Sequence, residues 1–176
     1  MSTEYLQVRV RKFNPAWASH IPVLVRMMGL SHGPVLELGI GLFSTPLLHW
    51  LCLERRRRLY SYDNSEYFVE KARNFRTDWH IIEAVPDWTK LDLDIEHWGM
   101  AFVDHAPTED RHLEAKRLAW LADYVVLHDS DRKGDRFTHY SEIYSLYKYH
   151  YDYCRQKPYT TILSNFYPLD GLCIGV

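Results

Sequence analysis

The stretch Val35-Leu36-Glu37-Leu38-Gly39-Ile40-Gly41-Leu42-Phe43-Ser44-Thr45 decides how the rest of the chain is read. Val35, Leu36 and Leu38 predict a short buried strand that stops at an acid and two glycines, where a helix can begin. Gly39 and Gly41 permit a tight turn whose backbone comes close to a ligand. Leu47, Leu48 and Leu51 then continue as a helix. A strand that feeds a helix through such a turn is where nucleotide-like ligands sit in α/β sheets.

The residues beside the glycines narrow the choice of ligand. A dinucleotide fingerprint has a third glycine three residues after the second, and Ser44 stands there instead. Glu37 would repel a pyrophosphate but welcome a cationic amino-acid group. No Lys-Ser or Lys-Thr follows the glycines, so the phosphate-cradling loop of nucleoside triphosphatases is excluded as well. The run Glu37-Leu38-Gly39-Ile40-Gly41 resembles the first motif of the class I S-adenosylmethionine-dependent methyltransferases, whose pattern is an acid, any residue, Gly, any residue, Gly. The resemblance implies that the turn passes under the methionine part of the cofactor and that Glu37 helps to order it.

Outward from this motif, buried strands alternate with helices. Ala16 to Met28 predicts a helix ahead of the first strand, with Pro22 as its weak point. Leu59 to Tyr62 reads as the second strand, Ser65 to Arg76 as a helix with Phe68, Val69, Ala72 and Phe75 on one face, and Trp79 to Ala84 as the third strand. Pro86 to Trp98 follows no helical period and predicts a short or irregular crossover. Met100 to Val103 is a fourth strand, Glu109 to Ala122 a helix and Tyr124 to Leu127 a fifth strand. This alternation predicts a parallel sheet covered on both faces, with functional residues at the carboxyl ends of its strands. Glu37, Asp63, Glu83, Asp104 and Asp129 all stand at or near such ends.

The tail is read as a helix from Tyr140 to about Gln156, then two strands, Tyr159 to Phe166 and Gly171 to Val176. A closing antiparallel hairpin is also what the methyltransferase family adds to its core. The expected fold is therefore an α/β, Rossmann-like three-layer sandwich with a mostly parallel seven-stranded sheet and a C-terminal antiparallel β-hairpin. The resemblance runs from about Val35 to Val176. It implies one domain over residues 1–176, with an N-terminal arm and helix in 1–30 and the core in 31–176.

Composition agrees with a domain that buries a core: 176 residues, 47% of them hydrophobic. A net charge of −2 argues against a dedicated nucleic-acid binder. The one dense basic run, Arg55 to Arg58, falls at the expected end of the helix after the glycine turn and reads as a solvated helix end. Arg9, Arg11 and Lys12 belong to a short arm or edge strand. Cys52, Cys154 and Cys173 have neither metal-like nor redox-like spacing and read as free thiols of a reducing compartment. No apolar stretch has signal-peptide form or membrane-spanning length, so a soluble cytoplasmic protein without a membrane partner is expected, with an oligomer left open.

Candidate site residues follow from the strand ends. Asp63 lies close to the ~20-residue offset at which an acid meets ribose hydroxyls, and the resemblance makes it the ribose-binding acid of the second motif. Asp63-Asn64-Ser65 also suits the cap of the next helix. Tyr62 and Asn64 would flank the adenosine, and Glu83 with Ala84 would line the adenine. Phe102-Val103-Asp104-His105-Ala106-Pro107, with Arg111 after it, resembles the fourth motif of small-molecule O-methyltransferases. Val126-Leu127-His128-Asp129-Ser130 resembles the second acidic element that goes with it, although Leu121-Ala122-Asp123 replaces the Gly-Gly turn often found before it.

Methyl transfer from a sulfonium requires alignment of a nucleophile and exclusion of water, plus a base when the nucleophile arrives protonated. His105 and His128 are candidate bases, with Asp104 to orient either. Asp104 and Asp129, with Asp131, form the alternative: a hard ion such as Mg²⁺ that lowers the pKa of a substrate hydroxyl. The expected cofactor set is Glu37, Gly39, Gly41, Asp63, Asn64, Glu83 and Asp104, and the expected catalytic set Asp104, His105, His128 and Asp129. The acceptor expected from the motif pair is an oxygen of a small molecule or sugar-like group. A non-catalytic S-adenosylmethionine-binding scaffold and a Rossmann-like enzyme for another nucleotide remain as rival readings. Tyr140, Tyr144, Tyr147 and Tyr151 read as the packing stripe of the last helix, and Trp17 and His20 as covers of the cofactor or substrate mouth.

Overall fold

The structure, a computed structural model, describes residues 14–174. The expected N-terminal basic arm and the last two residues of the expected closing strand lie outside them. Seven strands form one sheet in the order β3-β2-β1-β4-β5-β7-β6. The strands are β1 (Val35–Leu38), β2 (Leu59–Asp63), β3 (His80–Ala84), β4 (Met100–Val103), β5 (Val125–His128), β6 (Tyr149–Tyr153) and β7 (Thr160–Ser164). The first five pair in parallel, while β7 runs antiparallel to both β5 and β6. The α/β three-layer fold with its antiparallel hairpin is as the sequence predicts.

Strands β1, β2, β4 and β5 are buried along their whole length, and apart from Glu37, Ser61, Asp63 and His128 their residues are apolar or aromatic. Their side chains still alternate between two cores. Leu36, Leu38, Ala101, Val103, Val125 and Leu127 face one, with Trp88, Leu93, Trp98 and Ala115. Val35, Leu59, Met100, Phe102 and Val126 face the other, with Val23, Leu24, Met27 and Leu48 of helices α1 (Ile21–Leu30) and α2 (Ser44–Arg55). The sheet thus carries helices on both faces, and its strand ends meet at one edge.

Several elements depart from their expected bounds. The first helix begins only at Ile21, behind a 3-10 turn over Pro15–Ala18, because Pro22 is tolerated in the first helical turn, where an N–H has no partner to lose. It also runs through Gly29 to Leu30. Helices α3 (Glu66–Ala72) and α4 (Arg111–Arg117) are single cores of the longer expected helices, continued by 3-10 turns.

The tail requires a correction. No helix spans 140–156: α5 (Arg132–Thr138) comes earlier, capped by the Asp131 carboxylate, and ends at His139 with φ 55. Two 3-10 turns then lead into β6. Tyr149, Tyr151 and Tyr153 repeat at every second residue, and β6 lies at the sheet edge with His150 and Asp152 exposed. The hairpin is therefore β6–β7, and residues 172–174 are irregular, with Ile174 buried against the second core.

The basic run is likewise corrected in part. Arg57 is buried and donates to the Gly33 carbonyl at 2.5 Å and to the Ser31 hydroxyl at 3.0 Å. Only its neighbours match a solvated helix end.

Candidate functional site

The carboxyl ends of β1, β4 and β5 open into a cavity of about 1230 Å³. One wall is the glycine turn. Gly39 holds φ 102, and a Cβ there would stand 2.5 Å from the Asp104 carbonyl group, so only glycine lets the β1 and β4 ends come this close. Gly41 faces the cavity beside Leu42, Phe43 and Ser44.

Beneath the turn lies Glu37, fully buried. Its carboxylate accepts from the Thr45 hydroxyl at 3.0 Å and from the Ser61 hydroxyl at 2.6 Å, and the Thr45 oxygen accepts the Gly41 N–H at 3.0 Å. Burial pushes its pKa up to about 7 against these hydroxyls, with Ser44 contributing a third. Glu37 does not line the cavity and supports the turn from below, through Thr45 and Gly41.

Asp63 is also drawn toward the turn. One oxygen accepts the Ile40 N–H at 2.8 Å and the other the Ser65 N–H at 2.7 Å. Burial raises its pKa, opposed by the backbone donors of Ser65 and Ile40. The Ser65 contact is the local cap expected from the sequence; the Ile40 contact fixes the turn to β2. Each carboxylate oxygen keeps a second acceptor position. Asn64 is half-buried and Glu83 exposed, and neither lines the cavity.

The opposite wall is a charged cluster. Arg111 Nη1 lies 3.0 Å from Asp104 Oδ1 and 2.9 Å from Asp129 Oδ2, and its Nε donates to the His105 carbonyl at 2.6 Å. His128 Nδ1 stands 3.1 Å from Asp104 Oδ1, and its Nε2 lies 3.0 Å from Ser19 Oγ. Ser19 itself donates to the Pro158 carbonyl at 2.8 Å. Its proton is thus engaged, and the serine acts as acceptor for an N–H of His128 rather than as a nucleophile. Burial lowers the His128 pKa, but the charge of Asp104 and their hydrogen bond outweigh it, for a net rise. Burial likewise raises Asp104, and His128 and Arg111 reverse this to a net fall.

His20 completes this wall. It is 2% exposed, sits edge-on to His128 with ring centroids 4.8 Å apart, and has no hydrogen-bond partner at either nitrogen. Burial, with His128 adding to it and Asp104 opposing, pulls its pKa down to about 4, so the ring is neutral at physiological pH.

The strand order and this site can be set beside solved structures. An O-methyltransferase from Bacillus cereus in complex with SAH matches at 14% identity, 88% of this chain, 83% of that one and TM-score 0.60. The N-terminal domain of human METTL16 with SAH matches at 11% identity, 90% and 73% coverage and TM-score 0.60. M. capricolum TrmK with SAH matches at 14% identity, 83% and 69% coverage and TM-score 0.52. The chain has the class I methyltransferase fold. No family model matches the sequence, and no curated protein is similar to it.

Within the methyltransferase fold, the structure brings together Gly39, Gly41, Asp104, His128 and Asp129 of the expected residues. His105 is not among them. It is 1% exposed, packs on Trp88 with centroids 4.4 Å apart and lies 3.2 Å from Glu114, so the base expected there is turned into the core. The expected Mg²⁺ between Asp104 and Asp129 also does not fit, because the Arg111 guanidinium already bridges the two carboxylates. Asp131 is engaged as the cap of α5. Of the further residues, Arg111 had its position just after the fourth motif as a signal and His20 was read with Trp17 as a cover of the mouth, where both line the cavity, while Ser19 gave no signal.

Proposed function

We propose that the protein transfers a methyl group from S-adenosylmethionine to an oxygen of a small polar or aromatic acceptor. The observation that carries this reading is the single cavity shared by the glycine turn and the Asp104–His128–Asp129–Arg111 cluster. A glycine turn in which a Cβ at Gly39 would collide, and an acid at the end of β2 with acceptor capacity left, both fit this cofactor. S-adenosylmethionine, when bound, supplies an electrophilic methyl group on a sulfonium.

The remaining work falls to the chain. Gly41, on the cavity wall, and Asp63, which lies behind the turn and outside the lining, would hold the cofactor, while Trp17, Phe68 and Phe137, exposed along the cavity, would cover an acceptor and exclude water. Lys71, Lys133 and Lys157 share the lining with Glu109, Asp129 and Asp131, a mixed charge that suits a polar acceptor better than a polyanion. Arg111 holds Asp104 and Asp129 at fixed positions on the wall that the acceptor hydroxyl would meet, with His128 turned toward Asp104 and Ser19.

Calorimetric titration with S-adenosylmethionine, S-adenosylhomocysteine and NAD tests the reading. Binding of the first two alone, followed by turnover in a screen of hydroxylated acceptors, is the expected outcome. Binding without turnover would favour a scaffold, and absence of binding would remove the cofactor. Asp63→Ala is expected to weaken S-adenosylhomocysteine by more than about tenfold, or roughly 1.4 kcal/mol; unchanged affinity would take the ribose role from Asp63.

A further inference from the structure

We infer that His20, His128 and Asp104 form a binding site for a divalent transition-metal ion at the inner wall of the cavity. One nitrogen of each histidine and one carboxylate oxygen of Asp104 lie within 4.8 Å of one another. Two imidazoles and a carboxylate are a ligand set for Zn²⁺, Fe²⁺, Mn²⁺ or Co²⁺, and not for Mg²⁺, which takes oxygen ligands.

Independent support comes from His20. Its two ring nitrogens are both buried without a partner, in a side chain that lines the cavity. A buried polar group left unpaired in this way calls for a water or an ion that completes it. The charges around it agree. Asp104 and Asp129 face the Arg111 guanidinium and His128, so an ion would enter as His128 gives up one N–H, a cation replacing a proton beside the two carboxylates. The contacts of Arg111 and His128 both fall on Asp104 Oδ1, so Oδ2 is the oxygen left for an ion. An ion there would have open positions toward the cavity. The site stands on these side chains and does not depend on the methyl-transfer reading.

The test uses the full chain after chelation, in a Cys154→Ser/Cys173→Ser background, because both of these thiols are exposed and would bind Zn²⁺ themselves. Titration with Zn²⁺, Mn²⁺ and Mg²⁺ is expected to give a single Zn²⁺ or Mn²⁺ site and no Mg²⁺ site. His20→Ala and His20→Gln are each expected to weaken the ion by at least about tenfold, and thermal unfolding of the variants shows that the loss is not a loss of fold. Co²⁺ added to the unsubstituted histidine site gives a second readout, the visible bands of nitrogen-ligated cobalt. Absence of any stoichiometric ion, unchanged affinity in both His20 variants, or a Co²⁺ spectrum of the aquo ion would each overturn the site. S-adenosylhomocysteine affinity, measured in parallel, fails only if the methyltransferase reading fails.

Discussion

Glu37 and Asp104 both stand at the carboxyl ends of neighbouring parallel strands, yet the fold treats the two carboxylates in opposite ways. Around Glu37 it closes a buried pocket of hydroxyls, and burial pushes the acid up to about 7. Around Asp104 it assembles Arg111 and His128, and the acid is held below its ordinary value on a cavity wall. A carboxylate without a countercharge becomes a support that tolerates protonation. One with countercharges stays ionised and can meet a ligand. The motif acid of the glycine turn is therefore structural in its contacts, while the wall opposite keeps its acids paired with cations and open to the cavity.

The largest effect expected from breaking this contrast is at Arg111. Arg111→Ala leaves Asp104 and Asp129 without their shared cation and removes donors to the His105 and Asp104 carbonyls. Breaking a buried pair of this kind costs about 3–5 kcal/mol, a large share of the stability of a domain this size. Arg111→Lys should recover little, since an ammonium cannot serve two carboxylates and two carbonyls with one planar fork. Urea unfolding of the three proteins measures both statements; a loss below about 1 kcal/mol for Arg111→Ala would show that the cluster is solvated rather than paired.

Next is the pH dependence of the Glu37 pocket. Its folded pKa, about 7, lies above the ordinary 4.5, so the folded state binds the extra proton between these values. Stability from this group is then present below about pH 4.5 and declines as pH rises toward 7, by about 3 kcal/mol in all. His80, which is pulled down to about 4 by burial and by His49 and lies 3.0 Å from Ser61, acts in the opposite direction, since its stability is lost as pH falls from 6.5 to 4. The whole-protein curve mixes the two. The difference between Glu37→Gln and the parent isolates Glu37, and is expected to grow in favour of the variant from pH 5 to 8. A flat difference would mean that Glu37 stays ionised.

What the sequence made legible follows the same division. Strands β1, β2, β4 and β5 were readable because full burial on both faces leaves mostly apolar residues, with Glu37 and Ser61 as the polar exceptions within β1 and β2, and the acids at or near their ends were readable with them. The tail misled because Tyr140, Tyr144 and Tyr147 fit a helical period while Tyr147, Tyr149, Tyr151 and Tyr153 fit a strand, and pairing of β6 with β7 decides between the two. His105 stands two residues beyond β4 and His128 at the last position of β5, and no local pattern says that one turns into the core and the other toward the cavity. Ser19 and His20 meet His128 across more than half of the chain, a closeness made by topology alone.

The smallest expected effect divides the glycine turn itself into its supporting and its ligand-facing halves. Gly39 combines φ 102 with a Cβ position 2.5 Å from the backbone of Asp104, which cannot move without shifting β4. Gly39→Ala should therefore cost roughly 2–3 kcal/mol of stability through strain and displaced backbone. Gly41 is not at positive φ, and its Cβ would approach the Ser44 Oγ at 2.6 Å, a buried hydroxyl whose rotation gives up its bond to Glu37 but moves no backbone. Gly41→Ala should cost about 1 kcal/mol of stability, yet it puts a methyl group on the cavity wall and should weaken S-adenosylhomocysteine more than any loss of stability explains. Unfolding and ligand titration of the two variants separate these effects. Equal loss of affinity at equal stability would mean that the turn acts as one unit, and that the line between support and site does not run between its two glycines.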